Sequence, residues 1–277
     1  MLVIGPTYQS LSIKTKDYLI AGEKYQATIK NQLVDGCSSI VLSLLTLDIE
    51  TFFLTRLSYD DSGNAIMQKI KQQNGFVYSN GPVINSTATK VYVNDVERNI
   101  TSFSSLIYDN YPQLKDGLPY EFFDRQQYGI MDVVNYQYLE EALNRNRNIK
   151  WFAYNFIPDD RFLTRFEGIF LTKEKADSIA NAAFFASLSN KLFSAGLKWI
   201  VVFDGPTLCE VFTPKEIKSF VKERSGNYPI GCFETFIAMT TACYINNYDF
   251  YTCIDRGLNI ANELSYIQEV YLKKEMF

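Results

Sequence analysis

The chain has 277 residues, enough for one large α/β domain or a core domain with a small appendage. Hydrophobic residues make up 47% and charged residues 21%, and the net charge of −4 gives no electrostatic case for a nucleic-acid or anionic-membrane partner. Histidine is absent, which excludes Ser-His-Asp and Cys-His catalysis, His-ligated zinc and the two-His iron site, so a general base must be Asp, Glu, Lys, Tyr or Cys.

In chain order, a first strand is predicted at Leu2 to Ile4, stopped by Gly5-Pro6. Polar-apolar alternation marks half-exposed strands at Ser10 to Lys14 and Tyr25 to Lys30. An apolar helix follows from about Cys37 to Leu47, then a strand near Thr51 to Arg56. Gly63 to Gln73 has helical spacing, with Asp60 as its cap and Asn74-Gly75 as its stop. Thr87 to Val93 and Arg98 to Phe103 alternate again around Asn94-Asp95, a second sheet with a polar face.

From Ile130 the rhythm becomes strand then helix. Ile130 to Val134 precedes a helix at Tyr138 to Arg145, and Ile149 to Tyr154 precedes a loop at Pro158. One helix is predicted over about Lys173 to Ala195, closed by Gly196, before a buried strand from Lys198 to Phe203. Apolar helices at Cys232 to Ile245 and Phe250 to Val270 end the chain, while Tyr108 to Tyr128 reads as an aromatic packed loop. Alternating strands and helices give a mostly parallel sheet covered on both faces, with ligands at the carboxyl ends of its strands.

Five cysteines form no C-x-x-C pair, which argues against a zinc ribbon or a redox motif; no metal ligand set is expected. The first residues show no secretory pattern and no apolar run reaches about 18 residues, so the expectation is a cytoplasmic protein with reduced thiols.

The order of elements resembles that of the ribokinase-like, or PfkB, carbohydrate kinases. Leu57-Ser58-Tyr59-Asp60-Asp61-Ser62-Gly63-Asn64 is similar to that family's V-G-x-D-x-x-G segment. Ser86 to Thr89 with Glu97 to Thr101 is similar to its flap hairpin, and Ile230-Gly231-Cys232-Phe233-Glu234-Thr235-Phe236 to its T-G-A-G-D-x-F helix start. The resemblance implies a three-layer α/β sandwich over residues 1–277 with a small lid sheet from roughly 10–30 and 85–103. It implies ATP- and magnesium-dependent phosphoryl transfer to a sugar or nucleoside hydroxyl. Glu234 would be the base, and Gly231, Cys232 and Phe233 the anion hole. Ser10, Asp35 and Ser39 would meet the acceptor, and Asp204 and Gly205 the nucleotide. A homodimer through the lid sheet is part of the same expectation.

Several positions depart from the pattern. Phe233 replaces the second glycine of the phosphate turn, and Glu234 the catalytic Asp. Ser10 stands for the acid that clamps substrate hydroxyls, Val34-Asp35 for a Gly-Gly turn and Ser39 for an Asn. Asp35 either supplies the carboxylate missing at position 10 or serves the turn beside Gly36. The N-x-x-E signature maps to Thr172 through Lys175, and only Gly205 remains of the nucleotide-side glycines. The alternative is therefore an inactive pseudokinase that binds a small ligand or serves regulation or assembly.

Overall fold

The computed structural model describes residues 1–16, 20, 23–79, 86–94, 100–104, 120–133, 136–180, 182–226, 230–267 and 269–276. The chain begins with β1 (Leu2–Ile4), β2 (Thr7–Thr15), β3 (Ala27–Gly36), α1 (Cys37–Thr46), β4 (Phe52–Thr55), α2 (Asp61–Gln72) and β5 (Phe76–Ser79). It continues with β6 (Thr89–Asn94), β7 (Ile100–Ser104), α3 (Tyr120–Asp124), β8 (Tyr128–Met131), α4 (Tyr136–Arg145), β9 (Lys150–Tyr154) and β10 (Phe166–Thr172). The remainder is α5 (Lys173–Ile179), α6 (Ala182–Ser194), β11 (Trp199–Asp204), β12 (Leu208–Phe212), β13 (Ile217–Val221), α7 (Cys232–Ile245) and α8 (Phe250–Ile267).

Nine strands form the main sheet in the order β13-β12-β11-β10-β9-β8-β1-β4-β5. β5 through β11 in this order pair in parallel, while β12 and β13 add an antiparallel edge. The chain leaves β1 toward β4 and later returns to its other side at β8, so the carboxyl ends of β1 and β8 form a switch point where a crevice opens. Both faces are covered, as the continuous apolar runs of β9 and β11 require. Val3, Ile130, Phe152, Phe170 and Val201 face α1, α7 and α8 in one core. Their strand neighbours Leu2, Met131, Trp151, Ile169 and Ile200 face the other, with Leu139, Leu143 and Leu192.

A second, four-stranded sheet has the order β3-β2-β6-β7, with β2 and β6 parallel and the outer pairs antiparallel. Asp60 holds it against the main body. Its carboxylate caps α2 at the Gly63 amide (2.7 Å) and accepts from the Thr87 amide and hydroxyl (both 2.6 Å), fixing where β6 begins. Burial alone raises this carboxyl, but these hydrogen bonds outweigh it and hold the group below its usual range.

Four strands lie outside the sequence reading: β5, β10, β12 and β13. β10 carries Glu167 and Gly168 within an apolar run and adjoins a helix signal, which hides it. The single helix expected from Lys173 to Ala195 is two, because Ala180 takes an extended backbone (φ −158°, ψ 144°); nothing in the local residues signals that break. The region read as a loop from Tyr108 contains α3 and the start of β8 in its described part, while 105–119 lies outside the described residues, as do Asp95 to Asn99 of the flap hairpin. Among the described residues no helix is long and apolar enough to cross a membrane.

α7 is buried on nearly all sides from Cys232 to Cys243, and a carboxylate–tyrosine bond holds each of its ends. At its carboxyl end the Tyr244 hydroxyl donates to Glu167 (2.6 Å), which also takes Lys198 (2.8 Å) and lies 3.9 Å from Lys150. Burial pushes the Glu167 carboxyl up, but Lys198, Tyr244 and Lys150 together hold it below the usual value. A depressed folded-state value adds stability above the unfolded pKa that is lost as pH falls through the folded one. Both lysines are half-exposed, so Glu167→Gln is expected to destabilise by about 1–2 kcal/mol at pH 7. Urea unfolding should show the gap shrinking below about pH 4; a gap independent of pH contradicts the assignment.

Candidate functional site

A cleft of about 440 Å³ opens between the second sheet and the carboxyl ends of the main-sheet strands. Lys90 and Tyr92 on β6 and Ser102 on β7 form its roof. Its floor is Tyr154 and Asn155 after β9, Thr172 at the end of β10, Glu174 on α5, Phe203 and Gly205 around β11, and Ile230, Gly231, Phe233 and Glu234 at the start of α7. The volume lies in the range of small-ligand sites.

The start of α7 sets the chemistry. Gly231 is its N-cap in the left-handed region (φ 80°, ψ −8°), and no side chain caps the turn. A β-carbon on Gly231 would stand 2.4 Å from the Val270 carbonyl oxygen, so both φ and packing require glycine. The first-turn amides and the positive end of the helix dipole lie beside the cleft, an arrangement suited to an anion. Phe233 does not swing outward: it is 7% exposed, with its ring 5.3 Å from Phe203 and 5.5 Å from Tyr154. Those rings line the wall where a glycine would leave space.

Glu234 is buried and accepts a hydrogen bond from the Tyr154 hydroxyl at 2.6 Å. Burial raises its carboxyl above the ordinary value and the Asp35 charge adds to this, while Lys90 and the Tyr154 bond pull the other way. A raised carboxyl suits a group that takes a proton near neutrality. The Cys232 thiol beside it is pushed up by burial, which fits the core role its apolar helix implies.

Asp35 is also buried and accepts from the Tyr92 hydroxyl at 2.7 Å and from the Gly36 amide at 2.6 Å. Tyr92 thus joins it to the cleft, although Asp35 does not line the cleft itself. Ser10 and Ser39 lie off the cleft too, fully buried, and neither hydroxyl has a hydrogen-bond partner in the structure. Gly205 does line it (φ 69°), and a β-carbon there would meet nothing within 4 Å, so a ligand has close access to that backbone. Asp204 is exposed at the end of β11, outside the lining. The expected Glu234, Gly231, Phe233 and Gly205 therefore meet in one place, while Cys232, Ser10, Asp35, Ser39 and Asp204 lie outside the lining, Asp35 joined to it through Tyr92.

Sequence reasoning missed Lys90, Tyr92, Tyr154 and Glu174. Tyr154 ends a parallel strand and Lys90 and Tyr92 share a face of the flap alternation, so position alone could have nominated them. Glu174 sits one residue from the mapped N-x-x-E position: Thr172 caps α5 through the Lys175 amide (3.2 Å), and Glu174 turns an exposed carboxylate to the cleft. Asp132, directly after β8, packs near Gly5 and its charge helps to raise the Cys37 thiol and the Tyr154 hydroxyl. Among the described residues no group of three or more Cys, Asp or Glu side chains could hold a metal by itself.

No protein-family model matches the chain, and no curated protein matches its sequence. Solved structures do. A ribokinase from Thermotoga maritima superposes with a TM-score of 0.76 at 10% identity, over 99% of this chain and 96% of that one. An Anopheles gambiae adenosine kinase in complex with P1,P4-di(adenosine-5) tetraphosphate gives 0.74 at 11% identity, over 95% and 94%. An Arabidopsis thaliana ribokinase complexed with ribose and ATP gives 0.66 at 14% identity, over 94% and 90%. The chain has the ribokinase-like fold, with its mostly parallel sheet and small lid sheet, along nearly its full length. The solved structures it resembles thus include sugar and nucleoside kinases.

One consequence concerns stability. A raised folded-state carboxyl adds stability below the unfolded pKa that is lost as pH rises through the folded value. Glu234→Gln keeps an acceptor for Tyr154 and carries no charge. Its stability relative to the unaltered protein should therefore rise between pH 4 and pH 8 in thermal unfolding; an unchanged difference would show that the surroundings do not raise the Glu234 carboxyl.

Proposed function

We propose that this protein is an ATP-dependent phosphotransferase acting on a hydroxyl of a small sugar or nucleoside. The observation that carries the reading is Glu234: a buried carboxyl with a raised pKa, in the first turn of α7, opening on a cleft of ligand size. The acceptor hydroxyl attacks the γ-phosphorus of ATP, the bond to the β-phosphate oxygen breaks, and the hydroxyl proton passes to Glu234. Tyr154 orients that carboxyl, and the positive end of the α7 dipole at Gly231, where no side chain caps the turn, balances the charge developing on the phosphoryl oxygens.

The open backbone at Gly205 and the uncapped α7 turn suit the phosphates, with Lys90 the cationic side chain lining the cleft. Magnesium favours one or two carboxylates plus phosphate oxygens and water, so Glu174 is the residue that would hold it. When bound, the ion supplies neutralisation of phosphate charge. Ser10, Asp35 and Ser39 are the acceptor side of this reading: none lines the cleft as it stands, so a polyol would meet the two unpartnered hydroxyls and the Asp35 carboxylate, which Tyr92 joins to the cleft, only when the second sheet moves. The five free thiols accord with a reducing, cytoplasmic setting. The exposed Ile29 and Phe103 on the edge strands β3 and β7 favour a homodimer through the second sheet.

A second reading, ligand binding without transfer, is favoured by Phe233, whose ring occupies the wall next to the anion-binding turn. Transfer of radiolabel from γ-labelled ATP to a panel of sugars and nucleosides separates the two. Phosphotransfer is expected, falling by about 100-fold or more in Glu234→Gln. If no acceptor is labelled while sugars or nucleosides still bind, the second reading holds. Phe233→Gly is expected to strengthen ATP binding at least tenfold, as judged by competition with a fluorescent analogue; unchanged binding would place the nucleotide elsewhere.

A further inference from the structure

A separate cluster lies at the turn joining α7 to α8, at the opposite end of α7 from Glu234. Cys243 in the last turn of α7 lies 3.8 Å from the Met239 sulfur. The Cys253 thiol, in the first turns of α8, stands in hydrogen-bonding position toward Cys243 and lies 3.6 Å from the Tyr248 carbonyl oxygen. Arg256, one turn further along α8, reaches back to the Cys243 sulfur and stacks on the Tyr248 ring at 4.3 Å. Tyr248 and Arg256 are both exposed, while Cys243 and Cys253 themselves are buried. The other charged and titratable neighbours are Asp249 and Tyr244.

We propose that Cys243 and Cys253 form a peroxide-responsive dithiol, with Cys243 as the attacking thiol and Cys253 as its resolving partner. The Cys243 thiolate attacks the O–O bond of a hydroperoxide; its sulfur becomes a sulfenic acid and the other oxygen leaves as an alcohol, or as water from hydrogen peroxide. The Cys253 thiol then attacks the sulfenic sulfur, its proton passing to the departing S–O oxygen, which leaves as water as the S–S bond forms. Two thiols are oxidised and one peroxide is reduced. The bond ties the end of α7 to the start of α8 across the Asn246–Asp249 turn.

The environment separates Cys243 from its fellows. The Cys253 donor and Arg256 bring its thiol down to about 6, against the burial that opposes them. Burial raises Cys37 and Cys232 and takes Cys209 up to about 12. The hydrogen bond to Cys243, with burial, pushes the Cys253 thiol up, so Cys243 is the more thiolate-rich of the pair.

The test is to expose the reduced full-length protein to stoichiometric hydrogen peroxide at pH 7, quench with iodoacetamide, and map peptides by mass spectrometry. A Cys243–Cys253 linked peptide should be the first product, with Cys37, Cys209 and Cys232 modified only after unfolding. Arg256→Ala, a change at an exposed side chain, should slow the step about tenfold. Cys253→Ser should leave Cys243 as a sulfenic acid captured by dimedone. Oxidation of Cys243 no faster than that of the three core cysteines, or a disulfide with another partner, overturns the proposal.

Discussion

A carboxyl group placed inside a protein must find a donor or lose its charge, and the junction between β9 and α7 is organised around that requirement. Glu234 sits where the sheet's carboxyl edge meets the deeply buried helix α7, and the Tyr154 hydroxyl is the donor that meets it. Leaving such a group unpaired costs several kcal/mol. The bond therefore fixes the height of α7 against the sheet, and with it the position of the uncapped turn at Gly231. Glu167 and Tyr244 repeat the arrangement at the other end of the helix. α7 is clamped between two tyrosine–carboxylate bonds, so its first turn cannot slide relative to the cleft without breaking one of them.

The cleft that results differs in character from a glycine-lined phosphate cradle. Phe233 has joined Phe203 and Tyr154 in an aromatic wall, Lys90 from the second sheet brings a cation overhead, and Glu174 brings an oxygen donor from α5. Each side chain is held by the packing of the element that carries it rather than by a mobile loop. Lys90 lies 5.0 Å over the Tyr92 ring, and Tyr92 in turn is bonded to Asp35. Lys90, Tyr92 and Asp35 are thus one connected unit of the second sheet.

Much of this was legible in the chain, for reasons that can be named. β1, α1 and α7 declare themselves because an apolar run ends at glycine or begins at a helix-starting residue, and Asp60 is readable as a cap because its partner amide lies three residues on. Gly231 and Glu234, singled out through the family resemblance, are two residues that line the cleft. Other features depend on contacts distant in sequence. β10 is a strand because β9 and β11 flank it, and Glu167 within it is tolerated because Lys198 and Tyr244 arrive from 31 and 77 residues away. Tyr154 is 80 residues from Glu234, and Tyr92 is 57 from Asp35, so no local pattern could pair them.

The account turns on whether the α7 turn receives phosphate beside the Phe233 ring. Calorimetric titration of the folded protein with ATP and magnesium tests this most directly. Binding at micromolar concentration, lost when the triphosphate is replaced by adenosine, is the predicted result. Absence of heat at millimolar nucleotide, with the protein shown to be folded, would contradict it.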